Sequence, residues 1–174
     1  MPDQGVFVSW VREHGRSRDL SVALGLREVN YPAAVAGLPL PLRYLAATLA
    51  TTWLLLRRRP RAVVVMSPPP IPVLLAGACC LLTGRTLVVD AHSGAFNRPA
   101  WRALSRLSFR LLDRCGRAAV LVTNDEMREQ AERWTRHPVI ELHDLLARVD
   151  LPAQVEPSCD AFVVSSWADD EPLA

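Results

Sequence analysis

The chain has 174 residues, half of them hydrophobic and 22% charged, with a formal net charge of +2. That length suits one ordinary domain, or one domain plus the beginning of another, and the composition excludes a disordered polypeptide. The near-neutral balance gives no support to a nucleic-acid binder, and all twenty basic residues are arginine. In chain order, the N-terminal MPDQGVFVSW lacks a basic segment followed by a long apolar run, which predicts no signal peptide. GVFVSW (5–10) reads as a first strand. REHGRSRDLSVALGL then supplies a turn and a helix, with Gly15, Arg16 and Ser17 at its start. Free backbone N–H groups, the helix dipole and an arginine favour an anion such as a phosphate there, although Ser17 followed by Asp19 is also a common plain helix opening. LREVNYP (26–32) is a weak second strand closed by Pro32.

From Pro39 a helix begins at prolines and ends in the run Arg57-Arg58-Arg59-Pro60-Arg61, where cations suit the C-terminal dipole. Its apolar residues lie all round, so it fits either the core or an anionic membrane surface, and Arg43 and the threonines make it a poor bilayer span. AVVVMS (62–67) is the clearest strand, and Pro68-Pro69-Pro70-Ile71-Pro72 after it predicts a rigid loop able to shape a pocket. VLLAGACCLLTG (73–84) reads as an apolar helix stopped by Gly84, suited to burial in preference to a membrane-facing position. Cys79, Cys80, Cys115 and Cys159 form no CxxC pair, which predicts small core residues in a reducing compartment and no metal site.

The stretch TLVVDAHSGAFNRPAW (86–101) follows, an apolar run ending in Asp90-Ala91-His92-Ser93-Gly94. A buried parallel strand delivers what comes after it to the carboxyl edge of the sheet, where ligands of open α/β folds bind. Asp90, His92 and Ser93 are candidates for proton transfer there, with Gly94 allowing close approach of a ligand or a second backbone. The plainer alternative is a strand end with a structural histidine. PAWRALSRLSFRLLDRCGR (99–117) has the spacing of an amphipathic helix ended by Gly116, and AAVLVT (118–123) is another buried strand. Asn124 or Thr123 caps the next helix, PVIEL (138–142) is the sixth strand, and AFVVSSW (161–167) reads as a seventh beyond a proline-punctuated linker. Repeated strand–helix alternation predicts an α/β fold with a doubly wound parallel Rossmann-like sheet. No GxGxxG, P-loop or GxSxG signature is present.

The segments SWVREHGRSRDLSVALG, RRRPRAVVVMSPPPIPVLLAG, VVDAHSGAF, AVLVTND and FVVSSWADDEP together resemble the N-terminal, acceptor-side half of a GT-B fold glycosyltransferase of the family 4-like (group 1) type. The proline-rich loop and DAHSGAF carry the resemblance best. It implies residues 1–147 as the acceptor-side domain, 148–159 as linker and 160–174 as the start of a donor-side domain. It implies transfer of a sugar from a nucleotide-diphosphate donor to a hydroxyl of a lipid-linked or polysaccharide acceptor, with no metal and no separate cofactor. By the same likeness His92 is a base or a sugar-orienting group beside Asp90 and Ser93. Arg16 and Ser17 would face the donor diphosphate, Ser67 to Pro70 would wall the acceptor cleft, and Gly94 and Asn124 complete the substrate-binding candidates. The chain departs from the family in lacking a glycine pair after the first strand and the acidic donor-binding motif. Inverting and retaining chemistry both stay open. So do two other readings: a membrane-associated acceptor-binding subunit that pairs with a donor-domain chain, and a non-catalytic Rossmann-like binding module. The expected location is cytoplasmic, with peripheral contact at the inner face of the cell membrane.

Overall fold

The computed structural model describes residues 5–11, 14–30 and 37–143. Strands β1 (Gly5–Val8), β2 (Arg27–Val29), β3 (Ala62–Ser67), β4 (Thr86–Ala91), β5 (Ala118–Val122) and β6 (Val139–Glu141) alternate with helices. The helices are α1 (Gly15–Ala23), α2 (Leu40–Arg58), α3 (Pro70–Thr83), the short α4 (Ser93–Asn97), α5 (Pro99–Leu112) and α6 (Asp125–Glu132). All pairings are parallel, in the order β2-β1-β3-β4-β5-β6. The chain therefore forms the doubly wound α/β sheet that its alternation predicts. Strand order reverses between β1 and β3, and at such a switch the loops leaving the two strands part and open a crevice at their carboxyl ends.

Alternation along each strand sorts the core into two layers. Val6, Val8, Val63, Val65, Leu87, Val89, Val120 and Val122 face one way and pack with residues of α2, α3, α5 and α6, such as Leu55, Val73, Phe109 and Met127. Phe7, Val64, Met66 and Leu121 face the other way and pack with Leu20 of α1. By the same alternation Asp90 shares a face with Val88, the α1 side, which determines its partners below.

Several boundaries move from their sequence-based positions for identifiable reasons. Helix α3 begins at Pro70, so only Pro68 and Pro69 remain as loop; proline is well suited to a first helical turn, where an N–H has no partner to lose. Helix α5 stops at Leu112 instead of running to Gly116. There Asp113 turns away to accept hydrogen bonds from Thr135 Oγ1 at 2.6 Å and the Arg136 amide at 2.8 Å, a tertiary anchor invisible in local periodicity. Cys80 and Cys115 are buried and Cys79 half-buried; burial first, then the neighbouring cysteines, pushes the Cys80 thiol up to about 12, so it behaves as a packing group. Cys159, the linker at 148–159 and the expected seventh strand lie outside the described residues.

Helix α3 packs closely on α5. A Cβ added to Gly77 would lie 3.0 Å from Leu111 Cδ2 and 3.3 Å from its Cγ. Gly77→Val therefore overpacks this seam and is expected to cost about 1–3 kcal/mol, measured as a lower urea midpoint at unchanged slope. An unchanged midpoint would show that the helices separate freely.

Candidate functional site

The site is built around Asp90, the last residue but one of β4. Its register partner on β3 is Met66, and the alternation that turns both toward α1 brings the first turn of that helix over them. The Arg16 Nε lies 3.0 Å from Asp90 Oδ1 and 3.3 Å from Oδ2, in a pair with the carboxylate fully buried and the Arg16 side chain 4% exposed. From the next position on the same face, His92 places Nε2 at 3.1 Å from Asp90 Oδ2, with 19% of its side chain exposed. The His92 amide donates to the Ser67 carbonyl at 2.8 Å, extending the β3–β4 ladder past the strand end and fixing where the imidazole starts.

Burial alone would raise the Asp90 carboxyl. The hydrogen bond and charge of His92, with the charge and hydrogen bond of Arg16, outweigh it and hold the group below its ordinary value. An ionised carboxylate only accepts, so the His92 Nε2 carries a proton toward it, and whenever the ring is neutral the lone pair is on Nδ1. The arrangement is an oriented imidazole with a carboxylate behind it, able to take a proton through Nδ1 and stabilise the resulting cation.

The sequence candidates distribute unevenly around this core. Arg16 turns inward to Asp90, which commits its Nε to the buried carboxylate, not to a ligand anion. Ser17 is fully buried, with Oγ 3.4 Å from His14 Nδ1 and 3.7 Å from Met66 Sδ. Ser67 is buried at the end of β3, and its hydroxyl has no hydrogen-bond partner among the described residues. Ser93 and Gly94 open α4, both half-buried. What approaches Gly94 closely is Pro68, whose Cγ would lie 3.0 Å from an added Cβ. Asn124 lies exposed beyond β5 and spends its side-chain carbonyl on capping α6, accepting from the Met127 amide at 2.9 Å. It stands apart from the Asp90 cluster in its contacts.

Sequence reasoning missed four kinds of residue. His14 stands at the N-terminal end of α1 without a side-chain capping bond and meets His92 edge to face, ring centroids 4.9 Å apart; its place just after the first strand was the available signal. Trp10, Tyr44 and Trp101 come from three distant segments and line up with centroids 5.7 Å and 6.3 Å apart. Met66 accepts from the Ser9 hydroxyl at 3.3 Å on the α1 side of the sheet. Arg43 and Arg98 join the three aromatics, Met66 and Pro68 around a crevice of about 360 Å³ at the β1/β3 switch. A second, apolar groove of about 490 Å³ lies between α2 and the β1–β2 edge, and Trp10 borders both. No model of a known protein family, no curated protein and no solved structure matches the chain.

The stability linkage of Asp90 has a definite sign. Folding lowers this carboxyl, so its contribution is present above the ordinary value of about 3.9 and is lost as pH falls through the lower folded value. Asp90→Asn removes the buried carboxylate that faces the Arg16 guanidinium and is expected to cost about 3–5 kcal/mol at neutral pH. Chemical denaturation across pH should show that gap narrowing below about pH 4; a gap constant with pH would remove Asp90 from the acid response.

Proposed function

We propose that this domain is the acceptor-side half of a sugar transferase that uses a nucleotide-diphosphate donor. The observation that carries the reading is the buried Arg16–Asp90–His92 chain, ending in a partly exposed imidazole at the carboxyl edge, next to a crevice lined by aromatics and arginines. Three aromatic rings offer flat apolar faces of the kind that sugar rings stack on, and Arg43 and Arg98 supply donors for a phosphate or a hydroxyl-rich acceptor. In this reading the acceptor hydroxyl lies against His92. As its oxygen forms a bond to the anomeric carbon, the proton passes to Nδ1 and the bond from that carbon to the diphosphate breaks, releasing the nucleoside diphosphate. A positioned base is what an inverting transfer requires, so the reading takes the reaction as inverting.

The donor site belongs to a second unit, either continuing the chain beyond the linker or supplied by a partner. An acceptor on a lipid carrier is favoured over a free glycan by the apolar groove that meets the crevice at Trp10 and by the outward-facing leucines of α2. The same features favour a peripheral position at the inner face of the membrane.

His92→Ala takes one of its two partners from the buried Asp90 while Arg16 still holds the carboxylate, so it is expected to cost about 1–3 kcal/mol and leave the domain folded. In the full-length or reconstituted transferase it should lower turnover by about a hundredfold or more. Turnover of nucleotide-sugar donor onto a polyprenyl diphosphate-linked sugar, whose ring hydroxyls supply the acceptor oxygen, read beside thermal melting, tests this. Near-normal turnover, or an unfolded variant, would make His92 structural.

A further inference from the structure

Helix α2 carries its apolar residues on the wrong side for a core helix. Its inward side, Ala47, Thr51, Leu54 and Leu55, is buried. Leu42, Leu45, Leu49, Trp53 and Leu56, spaced three and four apart, nevertheless stand exposed along the opposite side, Trp53 by 63%. That stripe is about 21 Å long at 1.5 Å per residue. Leu82, 86% exposed at the end of the neighbouring α3, extends it sideways. Soluble monomers rarely leave so continuous an apolar surface uncovered.

Charge decides what covers it. Residues 38–112 hold ten arginines and a single acidic residue, Asp90, in a chain whose formal net charge is only +2. Asp90 is fully buried, so α2 and α5 display arginines without carboxylates of their own, and α3, packed against both, carries no charge. Arg57, Arg58, Arg59 and Arg61 stand exposed where the stripe ends. Arg102, Arg106 and Arg110 repeat every fourth residue along exposed positions of α5, and the last two join Arg133 and Trp134 around a concavity of about 390 Å³. A symmetric dimer through this face would set the same arginines against each other, with no exposed carboxylate of residues 38–112 between them. No helix among the described residues is long and apolar enough to cross a membrane.

We infer that the outer face of the α2–α3–α5 layer docks on an anionic phospholipid bilayer, with the α2 stripe sunk among the acyl chains and the flanking arginines on lipid phosphates. This is the geometry of an interfacial helix: an apolar side for hydrocarbon and cations at its border for the negative surface. Its consequence for catalysis rests on the acceptor-side reading. Leu40, Arg43 and Tyr44, from the first turns of α2, also line the switch-point crevice, so docking along α2 brings that crevice to the headgroup level, within reach of a lipid-anchored acceptor.

The test is flotation of the whole chain with vesicles of phosphatidylcholine alone or mixed with phosphatidylglycerol, at low and high salt. Binding should require phosphatidylglycerol and weaken with salt. Both Leu49→Ser/Trp53→Ser and Arg57→Ser/Arg59→Ser/Arg61→Ser should weaken it about tenfold or more without lowering the melting temperature. A blue shift of tryptophan emission on binding should be reduced in Trp53→Phe, a variant that still floats. Equal binding to neutral vesicles, binding indifferent to either set of substitutions, or a dimer abolished by Leu49→Ser/Trp53→Ser in a protein that ignores vesicles would overturn the proposal. His92→Ala should float like the parent. Docking by a full-length or reconstituted transferase that transfers no sugar would therefore reject the transferase reading alone, and transfer without docking would reject the membrane face alone.

Discussion

A carboxylate sealed in the interior at the end of β4 is the constraint on which the rest of the site depends. Asp90 is tolerable there only because Arg16 and His92 both reach it, and each reaches it for a different structural reason. Arg16 comes from α1, the helix that crosses this face of the sheet after β1; His92 comes from the next same-face position along its own strand. One ionised group thus ties the first crossover to the fourth strand across 74 residues of sequence and orients the His92 imidazole. Exchanging either partner for an apolar residue would leave the carboxylate a buried, underpaired charge, which is far costlier than losing a surface ion pair.

The switch between β1 and β3 supplies the other half of the arrangement. The loops leaving those strands part there, and the opening is filled by side chains from α2 and the start of α5, both of which lie on the opposite face from α1. The catalytic candidates therefore approach from one side of the sheet and the aromatic and arginine walls from the other. A single added methyl at Gly94 would press on Pro68 and disturb the seam where the two sides meet. In chemistry the surface is equally divided, with a cationic and apolar helical layer around α2 to α5 and the acidic residues concentrated outside that segment.

The fold class was legible because β-branched runs alternate with helical periodicity at regular intervals, and the carboxyl-edge placement of Asp90 and His92 followed from that alone. Partners were less legible. Arg16 and Ser17 sit at a helix start, where an anion is the natural local guess, and only the register of β3 with β4 brings an internal carboxylate to that arginine. Asn124 could be read as cap or ligand from its spacing; the distance to the Met127 amide identifies a cap. Trp10, Tyr44 and Trp101 gave no local signal at all, since their meeting depends on three separate crossovers. The short helix α4 was hidden because Pro99 follows it so closely that only one turn fits before the next helix begins.

The central claim is that Asp90 holds His92 with its proton on Nε2 and its lone pair on Nδ1. Long-range proton–nitrogen correlation of the histidine rings, with His92 assigned by its loss in His92→Gln, reads that directly at a pH where the ring is neutral. The account predicts a His92 imidazole almost wholly in the Nε2–H form, reverting to a mixture in Asp90→Asn if that variant remains folded. A His92 ring protonated on Nδ1, or one that samples both forms in the native protein, would contradict it.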